Sequence, residues 1–154
     1  MKRQWRLLAF GIRAVNLECK RAIEMRLHVV DVLLADDSST FRGALRSIIE
    51  GRDNWRVCTE ARDGLEAVRS FRQHVPDIVV IDFQMPEMNG LEAAREMLRQ
   101  SPQVPILMVT MFLSEQLICE AKKIGIKGAC AKTDSACVVK GVETLLENKP
   151  YFKN

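Results

Sequence analysis

Three carboxylates, a hydroxyl and an ammonium group stand at the ends of four short apolar runs, where a fold could bring them together. Asp36 and Asp37 follow the first run, Asp82 and Thr110 end two others, and Lys132 ends the last. Taken singly, each has an ordinary explanation, because acidic pairs often form turns and loop lysines are usually solvated. Asp82 differs, because a carboxylate that directly follows the apolar residues VVI needs a compensating partner.

Three carboxylates in one pocket would repel one another and raise the pKa of at least one of them. A hard divalent cation relieves this repulsion, and oxygen ligands with room for water suit Mg²⁺, with Mn²⁺ as a substitute. One carboxylate could then act as a nucleophile while the cation and Lys132 neutralise a transferring phosphoryl group. Thr110 could donate a hydrogen bond to a phosphoryl oxygen. These residue types therefore predict a phosphoryl-acceptor site.

The segments that must position this site alternate between strand-like and helix-like patterns. Five short runs are rich in Val, Ile and Leu, and most lack polar alternation, which is typical of strands buried on both faces of a parallel sheet. The predicted strands are residues 29–35, 55–61, 77–83, 104–110 and 128–132.

Apolar residues recur at helical spacing after each predicted strand. A residue within Ser38–Thr40 can cap the first helix, Pro76 and Pro102 close two others, and Gly125 suits a helix C-terminus. Five successive βα units predict an α/β fold, a flavodoxin-like doubly wound parallel sheet with strand order 2-1-3-4-5. Ligands bind at the carboxyl ends of the strands in such sheets, so the five polar residues are expected at one edge.

Composition excludes several classes of protein. The chain has 154 residues, of which 47% are hydrophobic, enough for one core. No run approaches the roughly 18 apolar residues that span a membrane, and no convincing signal-peptide cleavage site follows Met1. We therefore expect a cytoplasmic protein. The five cysteines include no C-x-x-C pair and accompany only two histidines, so we expect reduced thiols rather than a zinc site or a disulfide scaffold.

Positive charge is concentrated at the start of the chain. The first 30 residues carry +5 while the whole chain carries +3, which leaves −2 for the remainder. A weakly acidic domain does not suit a dedicated nucleic-acid binder. Residues 1–27 are predicted to be a basic N-terminal extension, either helical or disordered.

The segment PDIVVIDFQMPEMNGLEAAREM, residues 76–97, resembles the central signature of response-regulator receiver domains. Asp82 follows Asp37 by 45 residues, Thr110 follows Asp82 by 28, and Lys132 follows Thr110 by 22, spacings that are similar to those of the family. The likeness covers residues 29–147. It also includes segments 33–50, 61–67, 106–111 and 128–134.

The resemblance implies roles for the acidic residues. Asp82 would accept the phosphoryl group from the phosphohistidine of a histidine kinase. Asp37 would bind Mg²⁺ directly and Asp36 mainly through water, while Asp82 and the backbone carbonyl of Gln84 would supply further ligands. Lys132 would pair with the phosphoryl oxygens. The domain would be a signalling switch and not an enzyme, apart from its own phosphorylation and slow dephosphorylation.

The resemblance also implies roles for the surrounding loops. Thr110 would swing inward and shift the face formed by the fourth helix, the fifth strand and the fifth helix. Pro86 and Gly90 would shape the loop after Asp82, and Gln84 and Phe112 would tune the lifetime of the phosphoryl group. One departure is Ala129, which stands where many receivers carry an aromatic switch residue.

The predicted organisation is an extension at 1–27, a receiver at 28–148, and a linker start or free end at 149–154. The end of the chain resembles LuxR/NarL-type receivers, whose output is a helix-turn-helix domain that controls transcription. Such an output domain is absent from these 154 residues, so we expect no nucleic-acid binding by them. The implied partners are a histidine kinase and, on phosphorylation, a second copy of the chain.

Alternative functions fit less well. A phosphatase of the haloacid-dehalogenase type needs a D-x-D motif after its first strand, whereas the first run here ends in Asp36–Asp37. A nucleotide-binding protein would need G-x-x-x-x-G-K-[ST] or G-x-G-x-x-G, and neither motif is present. The alternative that stays open is an interaction module of the same fold that acts without phosphorylation, a pseudo-receiver. Such modules usually lack Asp37, Asp82 or Lys132, all of which are present.

Overall fold

The computed structural model of the chain describes residues 28–153, so the predicted extension at 1–27 lies outside the described residues. Within that range five helices surround a six-stranded sheet. The strands are β1 Val30–Ala35, β2 Trp55–Ala61, β3 Ile78–Asp82, β4 Ile106–Thr110, β5 Gly128–Ala131 and β6 Tyr151–Lys153. The helices are α1 Ser39–Glu50, α2 Gly64–His74, α3 Gly90–Gln100, α4 Glu115–Ile124 and α5 Ser135–Leu146.

The sheet has the strand order β2-β1-β3-β4-β5-β6, and every neighbouring pair is parallel. The predicted flavodoxin-like order 2-1-3-4-5 is therefore confirmed. None of the helices between residues 28 and 153 has the length and apolar character needed to cross a bilayer.

The central strands β3 and β4 carry no polar alternation because helices cover both faces of the sheet. All residues of β3 and β4 are buried. Successive side chains point to opposite faces, so Val79 and Ile81 join the cluster beneath α2, α3 and α4, while Ile78 and Val80 join the one beneath α1 and α5. This two-sided burial fixes the carboxyl ends of the central strands, where the candidate site lies.

Every helix between residues 28 and 153 begins with a side-chain cap at that same edge of the sheet. The cap oxygen accepts a hydrogen bond from the backbone amide three residues further on, which satisfies an otherwise unpaired donor. At α3 the cap Asn89 and Glu92 form a reciprocal capping box. At the opposite edge, Gly125 ends α4 with φ 104°, as predicted. The caps are Ser38, Asp63, Asn89, Ser114 and Asp134.

The sixth strand, β6, lies in the segment expected to be a linker start or a free end. Tyr151 pairs with Gly128 of β5, and its hydroxyl lies 3.1 Å from Cys137 Sγ. The Tyr151 ring packs closely on Gly141, because a Cβ atom at position 141 would lie 3.0 Å from that ring, and a Cβ atom on Gly128 would lie 3.1 Å from the Tyr151 carbonyl oxygen. The terminal segment is therefore an integral edge strand of the domain.

We expect Tyr151→Ala to destabilise the domain by about 1–3 kcal/mol, because it removes a ring packed on Gly141 together with a hydrogen bond. Tyr151→Phe keeps the ring and should lose only about 0.5–1.5 kcal/mol. Urea unfolding followed by circular dichroism measures both values. Wild-type stability in Tyr151→Ala would contradict the docking of β6.

Candidate functional site

The predicted site residues lie together at the carboxyl ends of four neighbouring strands. Asp36 follows β1, Asp82 ends β3, Thr110 ends β4 and Lys132 follows β5. The backbone amide of Lys132 donates to the carbonyl of Thr110 at 2.8 Å, which continues the β4–β5 ladder by one residue. The parallel register therefore converts four distant sequence positions into one pocket.

Lys132 occupies the centre of this pocket. Its Nζ lies 2.6 Å from Asp36 Oδ2 and 2.7 Å from Asp82 Oδ2. All three side chains are buried, with Asp36 fully so and the Lys132 residue 9% exposed. A buried charge needs such partners, since an unpaired one would carry a large desolvation penalty.

The pocket retains an excess of negative charge. Carboxylate oxygens of Asp36, Asp37 and Asp82 lie within 4.8 Å of one another, and Asp37 is exposed at the mouth. Apart from its ionic contact with Lys132, the buried Oδ2 of Asp36 has no hydrogen-bond partner among residues 28–153. Three carboxylates and one ammonium leave two negative charges, which fits one divalent cation bound by oxygen ligands. The cluster can therefore hold a metal ion such as Mg²⁺.

The electrostatics of Asp82 and Lys132 reflect this crowding. Burial raises the pKa of Asp82, and the Asp36 charge adds to that effect, although Lys132 and the backbone amide of Gln84 oppose it. Burial lowers the pKa of Lys132, but the two carboxylates outweigh it and the net shift is upward. Lys132 is thus held as an ammonium. A bound divalent cation would favour the ionised form of Asp82 over its protonated form.

A cleft of about 280 Å³ opens beside Thr110 and Gln84. Thr110 Oγ1 accepts a hydrogen bond from the backbone amide of Phe112 at 3.4 Å, which leaves the hydroxyl hydrogen free to be donated. Phe112 lies on the rim with 82% of its surface exposed. The two residues expected to tune phosphoryl lifetime, Gln84 and Phe112, therefore both line the approach to the pocket.

The loop from Phe83 to Asn89 returns the chain tightly to α3. The amide of Gly90 donates to the carbonyl of Phe83 at 2.9 Å, and the amide of Met88 donates to the carbonyl of Pro86 at 2.7 Å. A Cβ atom on Gly90 would overlap the Asp82 carbonyl oxygen, far inside the 3.0 Å that real Cβ contacts respect. The glycine is required at 90 because of this close backbone approach, rather than by a left-handed conformation.

The structure adds two site residues that the sequence did not indicate. Arg42 donates to the backbone carbonyl of Asp36 at 2.6 Å and also binds Glu60 of β2, so it ties the acidic turn to the sheet. Phe41 places its ring 4.7 Å from the Lys132 ammonium. In the sequence, Phe41 is indistinguishable from the other apolar positions of an amphipathic helix.

The model of the response regulator receiver domain family matches residues 32–143. The chain therefore belongs to the response-regulator receiver family, whose members act as signalling switches in two-component systems. The chain is 35% identical over 118 residues to the transcriptional regulatory protein LnrK of Bacillus subtilis, and this alignment covers 76% of the chain and 54% of LnrK. It is 36% identical over 101 residues to the chemotaxis protein CheY of Thermotoga maritima, and this alignment covers 66% of the chain and 83% of CheY.

A solved structure agrees with this family membership. The LuxR-family response regulator of an Aurantimonas species superposes with a TM-score of 0.77 at 32% identity, which covers 80% of the chain and 89% of that structure. Some relatives are much longer than this chain. It spans 23% of the length of the protein-glutamate methylesterase/protein-glutamine glutaminase of Pyrococcus horikoshii and about half of LnrK.

Proposed function

We propose that this receiver accepts a phosphoryl group on Asp82 in a Mg²⁺-dependent reaction and passes on a signal by changing conformation. The observation that carries the proposal is the position of Asp82. Its carboxylate is buried at a strand end, 2.7 Å from the Lys132 ammonium, and clusters with two further carboxylates. A structural ion pair would need one acid, whereas this pocket holds three.

In the proposed reaction a carboxylate oxygen of Asp82 attacks the phosphorus of a phosphohistidine on a histidine kinase. A new O–P bond forms, the P–N bond breaks, and its electron pair stays on the imidazole nitrogen. Because Asp82 reacts as a carboxylate, it releases no proton. The Lys132 ammonium balances the charge of the arriving phosphoryl oxygens.

Asp36, Asp37, Asp82 and the backbone carbonyl of Gln84 are the proposed Mg²⁺ ligands. When bound, the ion supplies charge neutralisation for the phosphoryl oxygens. Thr110 donates its free hydroxyl hydrogen to one of those oxygens, which draws the end of β4 towards the pocket.

Phe112 and Gln84, on the walls of the cleft, control how water reaches the acyl phosphate. Pro86 and Gly90 hold the loop that fixes the backbone of Asp82.

We also propose that the domain controls transcription. Relatives such as LnrK are transcriptional regulatory proteins, which supports an output in transcription through a helix-turn-helix domain outside these residues. A histidine kinase is the proposed donor, and a second copy of the chain is the proposed partner after phosphorylation. The free thiols of Cys58, Cys119, Cys130 and Cys137 support a reducing, cytoplasmic location.

Intact-protein mass spectrometry after incubation with acetyl phosphate tests the proposed function. We expect one phosphoryl adduct in the presence of Mg²⁺ and none with a chelator. A folded protein that binds Mg²⁺ but gives no adduct would favour the pseudo-receiver alternative.

Mg²⁺ affinity should depend on pH through Asp82. The pKa of its carboxyl group is raised above the ordinary value of 3.8, so a proton competes with the cation at a higher pH than at an exposed aspartate. We expect full affinity at neutral pH, declining as pH falls through the raised pKa. Calorimetric Mg²⁺ titrations at a series of pH values measure this. Asp82→Asn should bind more weakly and lose most of this dependence; an unchanged pH profile would contradict the assignment.

A further inference from the structure

The Lys132 ammonium has a third contact besides the two carboxylates. The ring of Phe41 lies 4.7 Å from its nitrogen, within the range of a cation–π interaction. Asp36, Asp82 and Phe41 thus border the ammonium: Asp36 follows β1, Asp82 ends β3, and Phe41 lies in the first turn of α1. The two acids are proposed to take part in metal binding and phosphoryl transfer. The Phe41 ring is therefore the one of these three contacts that takes no part in the reaction.

Phe41 is held firmly in this position. Its backbone amide donates to the cap oxygen of Ser38 at 3.3 Å, and the amide of Ser38 donates to Asp36 Oδ1 at 2.9 Å. The half-buried side chain of Phe41 packs against the apolar cluster beneath α1 and α5. The first turn of α1 therefore fixes the ring relative to the acidic turn.

We propose that Phe41 is a positioning residue for phosphoryl transfer, and that its ring holds the Lys132 ammonium in place when the carboxylates turn to metal and phosphoryl ligands. This inference rests on the proposed function. Once the oxygens of Asp36 and Asp82 are shared with a cation, their pull on the ammonium weakens. The ring quadrupole then keeps the ammonium at the phosphoryl position. Phe41 itself forms and breaks no bond.

Ring electronics distinguish this role from simple packing. Pentafluorophenylalanine keeps the shape of Phe but reverses the charge on the ring face, so packing is retained while the attraction to a cation is lost. Phe41→Leu removes the ring, and Phe41→Tyr retains the attractive face. Phe152 of β6 offers a matched control, because its ring lies 4.5 Å from the ammonium of Lys122 in α4.

The experiment measures initial rates of adduct formation against acetyl phosphate concentration at saturating Mg²⁺. We expect pentafluorophenylalanine at 41 and Phe41→Leu to slow the reaction by about 2- to 30-fold, the range that cation–π energies imply. Phe41→Tyr should stay near the wild-type rate. The loss should appear in the maximal rate with Mg²⁺ affinity unchanged, and pentafluorophenylalanine at 41 should also leave the unfolding midpoint unchanged. Pentafluorophenylalanine at 152 should leave the rate unchanged.

Two failures are distinguishable. A wild-type protein that gives no adduct would overturn the proposed function, and the role of Phe41 with it. A phosphorylated wild type whose rate is matched by pentafluorophenylalanine at 41 would overturn the role of Phe41 alone. A loss that appears in Phe41→Leu but not with the fluorinated ring would assign Phe41 to packing and likewise overturn the proposal.

Discussion

Asp82→Asn is expected to abolish the Mg²⁺-dependent phosphoryl adduct while leaving the fold intact. An amide oxygen is a far poorer nucleophile than a carboxylate, so the loss should exceed about 100-fold and fall below detection. Asn has nearly the same shape as Asp, and the substitution removes the repulsion between this position and Asp36. Intact-protein mass spectrometry after acetyl phosphate treatment measures the adduct, and circular dichroism checks the fold.

Asp53→Asn is the matched control for this experiment. Asp53 is exposed in the turn between α1 and β2, so the same chemical change there should leave the adduct unaffected. An adduct that survives in Asp82→Asn would show that another side chain is the acceptor. Peptide mapping of that adduct would then identify it, with Asp36 and Asp37 as the first positions to inspect.

The central strands were predictable because they are buried on both faces of the sheet. The apolar runs that contain β3 and β4 differ from the observed strands by at most two residues at either end. At the start of the fourth run, the pattern predicts strand at Val104 and Pro105, but the strand begins at Ile106. The carbonyl of Pro105 still accepts from Val79, so the sheet contact begins before the regular strand does.

The acidic pair could not be oriented from the sequence. Asp36 and Asp37 are identical in type and adjacent, yet Asp36 is fully buried against Lys132 while Asp37 is exposed. The difference arises from the end of β1, where successive side chains point in opposite directions, and from Ser38, whose amide holds the inner carboxylate. Local pattern gives the residue types of a site, whereas the backbone turn decides which of them faces inward.

Phe41 and β6 were missed for related reasons. Phe41 satisfies the helical apolar period, so nothing in the sequence separates a core residue from one that contacts the site. The three residues of β6 follow a proline and are too few for a strand pattern. Their pairing depends on Gly128, which is the register partner of Tyr151, and on Gly141, which leaves room for the Tyr151 ring. Both features depend on contacts between distant segments.

Gly90→Ala is expected both to destabilise the domain and to slow phosphorylation. The new methyl group would overlap the carbonyl oxygen of Asp82, and a backbone atom cannot rotate away as a side chain can. The resulting overpacking should cost at least about 3 kcal/mol of unfolding free energy. Because the displaced atom belongs to Asp82, the phosphorylation rate should also fall, by about 100-fold for a shift near 1 Å.

Two other glycines separate these effects. Gly43 in α1 has nothing within 4 Å of the position that a methyl group would occupy, so Gly43→Ala should stabilise the helix by about 0.5–1 kcal/mol and leave phosphorylation unchanged. A methyl group on Gly64 would overlap the carbonyl oxygen of Met88 just as closely, at the far end of the same loop. Gly64→Ala should therefore match Gly90→Ala in stability loss but reduce the rate less.

Urea unfolding and initial rates of adduct formation, measured on all three glycine variants, separate the effect on stability from the effect on phosphorylation. If Gly90→Ala and Gly64→Ala lose stability equally but only Gly90→Ala loses rate, the backbone of Asp82 is the element that the loop has to place. If both lose rate in proportion to stability, the loop contributes rigidity alone. Wild-type stability in Gly90→Ala would mean that the close approach to Asp82 does not exist in solution.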